Sequence, residues 1–95
     1  MINKKYFKMN VTDVFYLQGN HTVFVGVVEQ LEKFITKCEA QILLNNVVYA
    51  TIIIAGEWMT ERSPSNNKRA ISTVESIDIS QEIITQKKCT IQAFL

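Results

Sequence analysis

Residues 7–29, FKMNVTDVFYLQGNHTVFVGVVE, limit what this chain can fold into more than any other stretch. Two segments crowded with β-branched and aromatic side chains, Val11–Leu17 and Thr22–Val28, flank a polar break at Gly19-Asn20-His21. Such side chains suit a pleated, half-buried surface and lose rotamer freedom in a helix. Glycine and asparagine tolerate the positive φ that a tight reversal needs. The stretch therefore predicts a β-hairpin. The second segment is apolar on both of its alternating faces, which implies burial on both sides or a place in a barrel with one face covered. Gly26 interrupts that segment and predicts a bend or bulge, where the sheet must curl.

The rest of the chain reads as further strands added to this hairpin. Met1–Lys8 is a basic lead-in that could supply an edge strand through Tyr6 and Phe7. Residues 30–39 mix charge with Leu31, Phe34 and Ile35, and either a helical turn or a polar excursion fits them. Ala40–Leu44 predicts a third strand, and Asn45-Asn46 a turn into a fourth, Val47–Ile54. That fourth strand is the most hydrophobic and is expected at the centre of the sheet, ending or kinking at Gly56. Residues 63–69, SPSNNKR, form a surface loop by composition. Ala70–Val74 predicts a fifth strand, Ile77 and Ile79 alternate with polar residues as if to extend the sheet, and residues 80–84 suit one short turn. Thr90–Leu95 alternates and closes the structure. Short strands at intervals of about ten residues, separated by turn signals, indicate a sandwich or barrel.

Size and charge narrow the function classes. With 95 residues the chain forms a single domain, residues 1–95, and buries roughly two-thirds of its unfolded surface. Its net charge of +1 provides no global field that would steer it to nucleic acid or to a membrane. The longest apolar run, Val47–Ala55, falls short of the ~20 residues that a spanning helix needs. No signal-peptide pattern follows the N-terminal lysines, so a cytoplasmic, soluble protein with no membrane association is expected. Cys38 and Cys89 lack metal-ligand spacing and read as free thiols in a reducing compartment, with a disulfide as the alternative.

The hairpin also resembles a known family. Val11-Thr12-Asp13-Val14-Phe15, then Gly19, Thr22-Val23, Gly26 and Val28-Glu29, are similar in order and spacing to the opening of the second domain of translation elongation GTPases such as EF-Tu. Ala40–Leu44, Ile53–Met59, Ala70–Val74 and Ser80–Thr90 continue the likeness less specifically. The resemblance implies an all-β fold, a small antiparallel closed barrel of six or seven strands, standing without its GTPase domain. No Gly-x-x-x-x-Gly-Lys-Ser/Thr phosphate loop occurs in the chain. Asn20 and His21 stand where the family's turn carries an arginine and a second glycine, residues 30–33 replace a glycine-containing turn, and Cys38 replaces the glycine before Glu39. The strands keep the family's pattern while the turns depart from it, and function resides in such turns.

Candidate sites follow from residue type. His21, the single histidine, lies in a turn with no nucleophile or orienting carboxylate beside it in sequence, as acid–base chemistry would require. No carboxylate pair and no His/Cys cluster points to catalysis or to a metal, so no enzyme activity, cofactor or metal is expected. Trp58 and Met59, close to Arg62, are residue types enriched at interfaces, although a tryptophan capping the core is the alternative. Lys68-Arg69 with Arg62 makes a small basic cluster. The expected partner-binding set is therefore Trp58, Met59, Arg62, Lys68, Arg69 and His21. The expected function is a protein-binding module, such as a small inhibitor or immunity-type protein that covers the active site of a toxin or enzyme. Binding of RNA or the translation machinery is the second expectation.

Overall fold

The computed structural model describes residues 5–17, 19, 21–28, 35–58, 68–75 and 77–94, without the side chains of Lys5 and Trp58. Seven strands and one short helix follow in order: β1 Lys5–Leu17, β2 His21–Val28, β3 Cys38–Leu44, β4 Val47–Ile54, β5 Gly56–Trp58, β6 Lys68–Thr73, α1 Gln81–Gln86 and β7 Cys89–Phe94. The strands form one sheet in the order β4-β3-β7-β1-β2-β6-β5, and every neighbouring pair is antiparallel.

The hairpin forms as the sequence predicts, with Leu17 opposite His21 and Met9 opposite Val28. Its register slips between Val11 and Asp13, so Thr12 is an extra residue facing the step from Gly26 to Val25. A Cβ at Gly26 would lie 2.1 Å from the Asn10 carbonyl oxygen and 2.9 Å from the Val11 Cα, so only glycine admits β1 at this distance. The bulge also explains a break in alternation: Val11 and Val14, three residues apart, are both buried. Past Asn10, β1 no longer pairs with β7. The side chain of Gln81, at the start of α1, takes over there, accepting from the Val14 N–H (3.0 Å) and donating to the Thr12 carbonyl (2.9 Å).

The core lies on the concave side of the sheet. Phe7, Met9, Phe24, Ile42, Ile52, Ile54, Ile71 and Ile91 project into it from six strands, and Ile79 and Ile84 enter from the connector and from α1. Ser80 caps α1 by accepting from the Ile83 N–H, so the short turn expected at residues 80–84 is a helix of six residues. Asn45 and Asn46 adopt φ of 51° and 68°, both left-handed, as a two-residue hairpin turn requires.

Four expectations are corrected. The sheet is a strongly curled half-barrel and is open, not a closed barrel. Its two edge strands, β4 and β5, are consecutive in the chain; they meet end to end at Ala55 and share no ladder. Gly56, with φ of 155°, turns this corner. Second, β4 is an edge strand and not the central one. Its Ile52 and Ile54 are buried against the core, while Thr51 and Ile53, which alternate with them, face outward. Third, Tyr6 and Phe7 belong to β1, which runs unbroken through the middle of the sheet; Phe7 pairs with Ala93. Fourth, residues 77–80 are not strand but a connector lying over the open seam, where Ile79 is fully buried. Among residues 30–39, Cys38 and Glu39 belong to β3, and 30–34 lie outside the described residues.

Candidate interaction surface

The residues singled out from the sequence are not gathered into one place. Lys68 and Arg69 are consecutive in β6 and therefore project from opposite faces of the sheet. Arg69 points inward to Glu57 of β5, Nη2 to Oε1 at 2.5 Å and Nε to Oε2 at 3.0 Å. The two side chains are 4% and 2% exposed. Glu57 also accepts the Ile35 N–H through Oε1 (3.0 Å) and donates its own N–H to the Ile35 carbonyl (2.9 Å). This bidentate pair is an interior strut that ties Ile35 to the outer edge of β5, and it leaves no guanidinium for a partner to touch. Lys68, half-exposed, pairs with the Asp13 carboxylate at 3.6 Å. His21 begins β2 opposite Leu17, six residues from Val27, the partner of Lys68; along a strand that is about 20 Å. Trp58 pairs through its backbone with Ala70. Its side chain, Met59 and Arg62 lie outside the described residues.

A different surface is built around the connector that follows β6. The Tyr16 hydroxyl accepts from the Ile79 N–H (3.0 Å), donates to the Ile77 carbonyl (2.9 Å) and also touches the Ile79 carbonyl. The Tyr49 hydroxyl, from the opposite side of the seam, donates to the Asp78 carbonyl (3.1 Å). The start of the connector is held from both flanking strands. Ile53 donates its N–H to the Glu75 carboxylate (2.7 Å), the Thr73 hydroxyl donates to the Ile53 carbonyl (2.7 Å), and the buried Thr22 hydroxyl donates to the Glu75 carbonyl (3.1 Å). Two tyrosine hydroxyls and the backbone of Ile53 thus hold one short stretch of chain that begins beside Val74. Tyr16 is 54% exposed, Tyr49 48%, Val74 58% and Ile53 42%. Phe15 and Leu17, also exposed, alternate with Tyr16 along the end of β1 and so face the other side of the sheet, while Glu75 and Asp78 are the acidic residues of the connector.

Each tyrosine is held at its hydroxyl while much of its ring faces solvent, so its conformation is largely set before anything binds. The free thiols are not activated. Burial pushes Cys89 up to about 11 and raises Cys38, so both remain protonated at neutral pH. A depression of about 380 Å³ lies on β3 and β7, lined by Glu39, Gln41, Gln92 and Phe94 among others, with the Gln92 amide donating to Gln41 (3.3 Å). Its side chains include no nucleophile beside a base. Among the described residues no group of three metal-ligating side chains comes together, and no helix is long and apolar enough to cross a membrane.

Sequence reasoning passes over this surface because its members, from Tyr16 to Val74, lie on different elements and meet only through strand pairing and the connector. The available signal is the placement of Tyr16 and Tyr49 near strand ends, where an aromatic side chain can reach across a seam. No family model, curated protein or solved structure matches the chain.

Proposed function

We propose that this protein is a non-catalytic protein-binding module, and that the band formed by Tyr16, Tyr49, Ile53 and Val74 is the surface it presents. One observation carries the reading: the half-exposed Tyr16 and Tyr49 reach a single connector from different strands and are fixed there by hydrogen bonds at their hydroxyls, and the backbone of exposed Ile53 bonds Glu75, the residue after exposed Val74. Scattered exposed apolar residues need no explanation, but a contiguous, preorganised group of tyrosines and aliphatics is the usual make-up of a binding hot spot. The hairpin's likeness to the barrel domains of translation elongation GTPases supports a rigid scaffold whose connections carry the specificity. A small inhibitor or immunity-type protein that covers the active site of a toxin or enzyme fits this description, since such a protein needs complementarity and a few anchors rather than chemistry. The charges that the described residues present to solvent are of mixed sign, and Lys68 is matched by Asp13, which favours a protein partner over RNA.

The test begins with affinity purification from the native cell and identification of the co-purifying protein. Calorimetry then compares the wild type with Val74→Glu and Ile53→Ala, neither of which removes a hydrogen bond described above. A loss of at least tenfold in affinity for Val74→Glu, with the fold intact by circular dichroism, supports the surface. Unchanged affinity in both variants overturns it. A salt-sensitive shift of labelled RNA, with no protein recovered, would transfer the reading to nucleic acid.

A further inference from the structure

The connector presents one carboxylate that bonds nothing among the described residues. Ile77 and Ile79 pack against the core, and Asp78 between them is exposed. The Ile79 N–H donates back to the Ile77 carbonyl (3.0 Å), so Asp78 stands at the apex of a three-residue turn. Each of the two peptide groups that flank Asp78 is held by a tyrosine. Tyr16 donates to the Ile77 carbonyl (2.9 Å), and Tyr49 donates to the Asp78 carbonyl (3.1 Å). A carboxylate is thereby fixed beside two half-exposed rings that come from different strands. Glu75 differs: it is half-buried, and its carboxylate accepts the Ile53 N–H (2.7 Å).

Charge around this band is one-sided. Between Arg69 and Lys87 the chain carries Glu75, Asp78 and Glu82 and no lysine or arginine. Arg69 is buried against Glu57, and Lys68 is matched by Asp13. Lys87 and Lys88 come after α1, where the Lys88 backbone bonds the turn at Asn45. The net charge of +1 therefore hides a local surplus of negative charge along the connector. A phosphate or a carboxylate brought to Asp78 meets repulsion. An apolar partner surface would strip water from the aspartate and offer it nothing in exchange. An arginine fits on both counts, because its guanidinium stacks on an aromatic face and its N–H fork pairs with a carboxylate. Lysine brings the charge without the planar fork.

We infer that the partner docks a basic segment on this band, with an arginine side chain seated beside the Tyr16 and Tyr49 rings and paired with Asp78. The inference rests on the reading of the band as a binding surface and adds the chemistry of what binds there.

The probe is a short peptide of alternating glycine and arginine, titrated at low salt into the isotope-labelled full chain and followed by two-dimensional NMR up to about 5 mM peptide. Saturable shifts are expected at Tyr16, Tyr49 and residues 77–79. The same peptide with citrulline, a neutral isostere of arginine, should give none. Asp78→Asn keeps the shape of the side chain and every hydrogen bond described above, and it should weaken binding at least about fivefold. Tyr49→Leu, which removes one ring, should weaken it as well. Absence of saturable shifts at these residues, equal binding of the citrulline peptide, or unchanged affinity of Asp78→Asn would each overturn the inference. The two readings fail separately. A recovered partner weakened by Val74→Glu, together with a band that the arginine peptide leaves unshifted, keeps the binding surface and removes the arginine. Peptide binding at Asp78, with a partner indifferent to Val74→Glu and Ile53→Ala, keeps the arginine site and removes the wider surface.

Discussion

Replacing Gly26 by alanine is the sharpest test of the hairpin on which the sheet is built. The added methyl would lie 2.1 Å from the Asn10 carbonyl oxygen and 2.8 Å from its carbon, both main-chain atoms of the neighbouring strand. A flexible side chain could swing away, but a strand cannot, so β1 must move by about an ångström where Thr12 already bulges. Overpacking of this kind costs ~1–3 kcal/mol, and each hydrogen bond lost as the strands separate adds about 1 kcal/mol, for a total near 3 kcal/mol. For a domain of this size that lowers the melting temperature by about 12–24 °C, at 4–8 °C per kcal/mol. Gly19→Ala is the control. Gly19 has φ of 84°, and the nearest atom to a new methyl is the His21 Cδ2 at 3.5 Å, so only backbone strain of ~1–2 kcal/mol applies. Urea denaturation of the three proteins, followed by circular dichroism, reads both values. Equal and small losses in the two variants would mean that the close approach of β1 and β2 does not exist, and the bulge assignment would go with it.

Two further predictions concern groups inside the half-barrel. Glu57→Gln and Arg69→Met, each leaving a buried charge without its opposite, should lose about 3–5 kcal/mol in the same denaturation assay; the double variant Glu57→Gln/Arg69→Met should lose less than the sum of the two, and additive losses would show that the pair is not coupled. Cys89 gives a pH dependence. Its thiol is held up to about 11 in the fold against 9.0 when exposed, so the folded state retains a proton that the unfolded chain releases, and stability falls as pH rises from about 9 to 11. Cys89→Ala should remove this part of the alkaline loss, and identical pH profiles for the two proteins would refute it.

The elements legible in the sequence are those whose cause is local. Hairpin strands, the turn at Asn45-Asn46 and the bulge at Gly26 follow from β-branched crowding, from side chains that accept positive φ and from a glycine inside an apolar run. The place of β4 is not legible in this way. Its hydrophobicity reports how much it could bury, whereas its position depends on which strands remain to pair with it, a long-range property. The same limit applies to Arg69. A loop-like SPSNNKR segment suggests an exposed cation, yet register pairs Glu57 with Ile71 and so sets Arg69, on the same face, diagonally next to a carboxylate twelve residues earlier, and nothing near either residue signals the match. Tyr16 and Tyr49 are unremarked in sequence because their partners are backbone atoms of a connector, not side chains with a recognisable spacing.

The open seam links stability to the candidate surface. A closed barrel has no edge to protect. Here the sheet stops one ladder short, because β4 turns at Ala55 into β5 and does not run alongside it. Residues 73–79 must therefore cover the gap, and irregular backbone laid over a core needs partners for its polar groups. Tyr16, Tyr49 and Thr22 provide them through their hydroxyls, and the Thr73 hydroxyl accepts the Glu75 N–H (3.2 Å). A tyrosine that reaches a connector from the rim of a sheet cannot also bury its whole ring, so closing the gap leaves aromatic surface exposed at that point. Binding surface and seam are on this argument one feature, set by the decision of the chain to turn at Gly56, and a partner docked there would rest on groups that already hold the half-barrel together.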